Sequence, residues 1–123
     1  MIKQILLVGV GGAAGSVTRY VCQVAVNTVY TFRFPMATLL VNVAGCFIIG
    51  LLYALAERTS ILSPQLRLLL GTGFCGGFTT FSTFAFENMD LIRTGDLPYF
   101  MLYALSSLVI GIGAVFAGFY LIR

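Results

Sequence analysis

Residues 71–87 read GTGFCGGFTTFSTFAFE, and this stretch decides how the chain is to be folded. Gly76-Gly77 followed by Thr79-Thr80 is poor material for a continuous helix. Glycine costs about 1 kcal/mol relative to alanine inside one, and threonine is a good N-cap for a helix that restarts. An interruption here frees backbone carbonyls on one side and amides on the other. In a hydrocarbon environment such groups are tolerated only if protein, water or ions satisfy them. Helices broken at the bilayer midplane commonly mark ion sites, with carbonyls taking cations and helix N-termini taking anions. The bland alternative is a glycine kink that lets two helices cross closely. Beyond the break the residues sort onto faces: Phe78, Phe81 and Phe84 recur every three positions. Thr80, Thr83, Glu87 and Asp90 form a polar stripe. An aromatic row in such a helix is usually core or lipid-facing, but a hydroxyl stripe leading to two acids points toward protein or water.

The composition places this stretch in a membrane. The chain has 123 residues, 59% hydrophobic and 9% charged, with mean hydropathy +1.02. Ordinary soluble domains carry about 25% charged residues, and a chain this short hides only about 60–70% of its unfolded surface. A soluble monomer, a disordered chain and a disulfide scaffold are excluded on these grounds. No residue is charged between Leu97 and Ile122, between Phe34 and Ala56, or between Leu68 and Phe86. Only Arg19 interrupts the apolar run from Gln4 to Phe32. About 20 residues cross the hydrocarbon core, so four transmembrane helices are expected, at 4–30, 36–56, 66–92 and 98–122. They form one domain, 1–123, of an all-α integral membrane protein whose third helix is broken at mid-membrane. Arg33-Phe34-Pro35, the segment from Glu57 to Pro64, and Arg93 to Asp96 supply the joints. The opening residues, with the single Lys3 and a long apolar run, do not read as a cleavable signal.

Charge says little about partners and more about orientation. Seven Lys/Arg against four Asp/Glu is too small an excess for a nucleic-acid surface. Lys3, Arg58, Arg67 and Arg123 fall on one side of the membrane and Arg33 and Arg93 on the other, a small bias under the positive-inside rule. A chain with so little bias can insert both ways and pair antiparallel with itself. Four helices hardly enclose an aqueous path, so transport requires an oligomer. Gly11/Gly15, Ser107/Gly111 and Ala114/Gly118 have the small-xxx-small spacing of close helix contacts, within one chain or between chains.

Two further polar positions join the stripe: Asn42 in the second helix, and Tyr103 with Ser106 and Ser107 in the fourth. Asn42 reads either as glue between helices or as an amide N–H donor to an anion. Phenylalanine edges are positive and suit a small anion while keeping water scarce. Arg19 reads either as a charge that draws anions inward or as a snorkelling side chain.

Three segments carry a resemblance that spans nearly the whole chain. GGAAGSVTRY at 11–20, TLLVNVAGCFIIG at 38–50 and GFCGGFTTFSTF at 73–84 resemble the Fluc fluoride channels, the CrcB-type small membrane proteins of bacteria. The last motif is the most specific. The resemblance implies an antiparallel dual-topology homodimer in the cell inner membrane, with two fluoride pores along its interface. It implies passive, fluoride-selective exit from the cytoplasm that limits fluoride toxicity. Phe81 and Phe84 are similar to the pore phenylalanines, and Asn42 to the pore asparagine. Thr83, Tyr103 and Ser107 join them in the implied ion pathway. Gly76 and Thr79 match positions whose backbone carbonyls hold a structural, untransported Na⁺ at the dimer axis. Arg19 and Glu87 match characteristic vestibule or family positions. The polar track of the fourth helix meets Gly111, not a hydroxyl, at its third place, so water is expected to replace the missing group.

Other classes fail on particular residues. Lys3 to Gly11 with Ala14 imitates a strand opening into a dinucleotide-binding turn, but that fingerprint needs an acid about 20 residues on, and the first acid is Glu57. Gly71 to Gly76 has phosphate-loop spacing, with Gly77 and Phe78 where lysine and a hydroxyl residue belong. There is no histidine, and Cys22, Cys46 and Cys75 stand apart, so metal or thiol catalysis lacks its constellation and no enzyme is expected. A small multidrug-type transporter is the nearer competitor, but would carry an acid in its first helix, where this chain has Arg19. A purely structural role is compatible with composition and sits poorly with the polar stripe.

Overall fold

A computed structural model describes residues 1–122; Arg123, counted above in the charge bias, lies outside the described residues. Four helices are long and apolar enough to cross a membrane: Ile2–Val29, Met36–Arg58, Pro64–Arg93 and Leu97–Leu121. No strand is found among the described residues. The protein is a multi-pass, all-helical membrane protein, and its span ends fall within two residues of the expected ones. The first two spans are α1 (Ile2–Val29) and α2 (Met36–Arg58). The third is assembled from α3 (Pro64–Arg67), a π-helical segment (Leu68–Cys75), α4 (Gly76–Phe78) and α5 (Phe81–Arg93). The fourth is α6 (Leu97–Leu121). Pro64 and Pro98 occupy first turns, where a missing N–H costs nothing. Ser63 caps α3 by accepting from the Leu66 N–H at 3.2 Å.

The interruption lies two residues beyond the paired glycines. Gly76 and Gly77 remain helical, while Thr79 (φ −87°, ψ 159°) and Thr80 (φ −150°, ψ 120°) are extended. Thr80 is the N-cap of α5, its Oγ1 accepting from the Thr83 N–H at 3.2 Å. This corrects the aromatic row. Phe78 precedes the break, is buried and stacks on Phe74 with centroids 5.6 Å apart, so it does not share a face with Phe81 and Phe84.

Glycines set the packing. A Cβ on Gly11 would strike the Leu69 carbonyl, and one on Gly15 the Phe74 carbonyl. The GxxxG pair therefore serves contact inside the chain, bringing α1 against the π segment. Gly50 and Gly118 play the same part where α2 meets α6, against the Val115 and Phe47 carbonyls. The most extensive contacts are thus α2 on α6 and α1 on the π segment. At one membrane face Arg58 reaches the Ile122 carbonyl and lies 4.5 Å from the Phe119 ring centroid. At the other face Arg33 pairs with Asp96 at 2.5 Å and donates to Thr94 Oγ1 at 2.6 Å. Few residues of any span are fully buried by the chain itself, at most 28% of its apolar stretch.

Candidate functional site

The break is held by side chains from the first two spans. Asn42, about two turns into α2, meets Thr80 twice: its Oδ1 accepts from the Thr80 N–H at 2.8 Å and its Nδ2 donates to the Thr80 carbonyl at 3.1 Å. One amide thus serves the Thr80 N–H, whose helical partner the interruption removes, and adds a bond to the carbonyl of the residue that caps α5; one Nδ2–H is left over, because the group has two. On the other side Arg19 Nε donates to the Gly77 carbonyl at 3.1 Å, with Ser16 Oγ 3.5 Å from the same oxygen. A cation at the C-terminal end of a half-helix also complements its partial negative charge. Arg19 therefore lies against the break.

Two cavities flank α5. The first, about 680 Å³, is lined by Asn42, Cys46, Gly76, Thr79, Phe81, Phe84 and Ser107 among others. Phe81 is 78% exposed, and its ring lies 5.6 Å from that of Phe84, tilted by 44°. A Cβ built on Gly76 would meet nothing within 4 Å. The Ser107 Oγ is buried and has no hydrogen-bond partner among the described residues.

The second cavity, about 510 Å³, opens by Arg33 and Asp90 and reaches Thr83, Glu87 and Thr38. Glu87 is the centre of its hydrogen bonding. Thr38 Oγ1 donates to Oε2 at 2.9 Å and the Tyr103 hydroxyl donates to Oε1 at 2.8 Å. Gln23 Nε2 lies 3.4 Å from Thr38 Oγ1. Tyr103 and Thr38 are 0% and 1% exposed, and Phe84 packs on Tyr103 at a centroid distance of 5.0 Å. Phe84 and Tyr103 thereby stand between the two cavities.

The structure gathers Asn42, Phe81, Phe84 and Ser107 around the first cavity, with Gly76 and Thr79. It puts Thr83 and Glu87 on the second, Tyr103 between the two, and Arg19 behind the break. Sequence reasoning missed Thr38 and Gln23. Thr38 stands one turn before Asn42, the i,i+4 spacing that puts both on one helix face. Gln23 has the same spacing from Arg19. No group of three or more metal-ligating side chains occurs among the described residues.

These features define a class: a small four-span membrane protein whose third span is broken within the apolar zone beside a cavity of donors and phenylalanine rings. A family model described as CrcB-like protein, Camphor Resistance (CrcB), matches residues 6–119. The chain belongs to the CrcB family. It is similar to curated proteins named fluoride-specific ion channel FluC. The one from Prosthecochloris aestuarii is 51% identical, covering 97% of this chain and 92% of the relative. That of Leptospira interrogans is 43% identical over 98% and 95%, and that of Bacteroides fragilis 46% over 98% and 96%.

Proposed function

We propose that the protein is a fluoride-selective channel of the cell inner membrane that lets fluoride leave the cytoplasm down its gradient and so limits its toxicity. No chemical transformation is part of this reading. One observation carries it: Asn42, Phe81, Phe84 and Ser107 stand on one mid-membrane cavity, with an unpartnered buried hydroxyl and an exposed phenylalanine. The name shared by the relatives supports fluoride as the ion. Within the pathway, the spare Asn42 N–H and the Ser107 hydroxyl offer hydrogen bonds, and the edges of Phe81 and Phe84 offer positive potential. Thr83, Glu87 and Tyr103 lie on the route from the second cavity, where bonded hydroxyls and Arg33 meet water.

The working unit we propose is an antiparallel homodimer of this one four-helix domain, with two pores along its interface. The cavity is open on one side, where Phe81 is largely exposed and a Cβ on Gly76 would meet nothing within 4 Å among the described residues. The residues fit a structural Na⁺. In an uninterrupted helix the Thr80 N–H would bond to the Gly76 carbonyl; here it is given to Asn42 instead. The Thr79 carbonyl leaves an extended residue. Oxygen donors suit a hard cation, and a second copy would double the set. Gly76 and Thr79 are the residues whose carbonyl oxygens would hold the ion, which would supply positive charge to backbone oxygens at the break.

The test is fluoride efflux from liposomes holding the purified protein, read with a fluoride electrode at clamped voltage. Voltage-driven fluoride loss is expected, absent with chloride and abolished by F81I/F84I. Folded, Na⁺-containing protein that loses no fluoride would overturn the proposal, and cation–proton exchange would then be measured.

A further inference from the structure

The wall of the 680 Å³ cavity is built by α2, the π segment, α4, α5 and α6, and it contains two thiols that the proposed pathway has not used. Cys46 comes from α2 and is half-buried; Cys75 comes from the π segment and is buried; neither is in a disulfide. On α6, Tyr103, Ser107 and Gly111 follow one another at i, i+4 and i+8, a single row. Tyr103 spends its hydroxyl on Glu87. Ser107 Oγ is buried and unpartnered on the cavity wall. Gly111 brings no side chain, but the space where its Cβ would stand has one near neighbour, Cys46 Sγ at 3.6 Å.

We propose that Cys46 is a further pathway residue, its S–H supplying from α2 the third polar group of the row that α6 leaves blank at Gly111. The inference rests on the channel reading given above and specifies which atom the anion meets beyond Ser107. Thiols are weak donors, less able than a hydroxyl to keep a small, strongly hydrated anion. The contact at 3.6 Å is of van der Waals length, so a side chain at position 111 fits beside the thiol, and a serine there would bring its hydroxyl next to the same place. One site thus has two alternative suppliers, and this makes the idea testable by exchange.

The experiment measures fluoride efflux rates in liposomes for wild type, C46A, C46S, G111S and C46A/G111S. The Phe81/Phe84 double variant reports on the channel reading independently, and gel filtration with a thermal melt reports on folding. Loss of one modest hydrogen bond corresponds to a rate about two- to fivefold lower, expected for C46A. C46S is expected to match or exceed wild type, and C46A/G111S to recover most of the lost rate. In a C22S/C75S background, methyl methanethiosulfonate, a small neutral reagent, is expected to slow efflux by placing a thiomethyl group on Cys46, releasing methanesulfinate, and to spare the protein that also carries C46S. An unchanged rate in C46A overturns the proposal, as does equal loss in C46A and C46S, which would mark a packing role. Failure of G111S to rescue overturns it too. If wild type itself passes no fluoride, the channel reading falls instead, and the mass shift that wild type shows and C46S lacks still tells whether the Cys46 thiol is reachable.

Discussion

Replacing Asn42 by leucine tests the geometry of the break most directly. The two side chains have the same number of heavy atoms and the same branching, so the change removes polarity while keeping a similar shape. Two hydrogen bonds are lost, at 2.8 and 3.1 Å, and both partners are backbone groups of Thr80 that no substitution can move. Each bond contributes about 0.5–1.5 kcal/mol net, and a stranded buried group costs about 1–3 kcal/mol. Interhelical bonds measured within membranes average lower, about 0.6 kcal/mol. Asn42→Leu is therefore expected to destabilise by about 1–4 kcal/mol. The assay is reversible unfolding in mixed micelles with a denaturing detergent, followed by circular dichroism. Asn88 is the internal comparison. It is buried, donates only to the Phe84 carbonyl one turn back at 3.0 Å, and already leaves its own Oδ1 without a partner. Asn88→Leu removes that orphaned oxygen, so it is expected to change stability by less than about 1 kcal/mol in either direction. If Asn42→Leu is as stable as wild type, or Asn88→Leu costs more, the assignment of Asn42 as the clasp of the break is wrong.

Other substitutions probe different parts of the site. Gly15→Ala drives a methyl group into the Phe74 carbonyl; it is expected to cost about 1–3 kcal/mol or more and to reduce folded yield on gel filtration. Gly76→Ala meets nothing in its own chain; if it nevertheless weakens self-association, measured by cross-linking across lipid dilutions, the open side of the cavity is where a second copy sits. Arg19→Met removes the donor to the Gly77 carbonyl and is expected to lower the melt by an amount equivalent to about 1.5–3 kcal/mol, with Arg19→Lys recovering only part because a lysine lacks the Nε fork. Tyr103→Phe deprives Glu87 of one of its two donors; fluoride efflux is expected to fall about fivefold to a hundredfold while the helices keep their circular dichroism.

Much of this architecture was legible in the chain because its causes are local. Uncharged runs specify spans, since a charge in hydrocarbon is expensive wherever its helix packs. Two glycines, two threonines and a capping hydroxyl specify an interruption within a few residues, because propensity and capping act over one turn. The family resemblance went further and named Asn42, Phe81, Phe84, Ser107, Gly76 and Thr79, all of which line one cavity of the fold. Helical periodicity misplaced Phe78, since a period has meaning only within one unbroken helix and the extended pair Thr79-Thr80 resets it. The partners of polar groups were beyond any local rule. That Asn42 clasps Thr80, that Arg19 turns to Gly77, that Thr38 and Tyr103 share one carboxylate, and that a thiol stands beside Gly111 all depend on how spans distant in sequence pack. Local chemistry decided what each segment is, and close packing at the glycines decided which polar atoms meet.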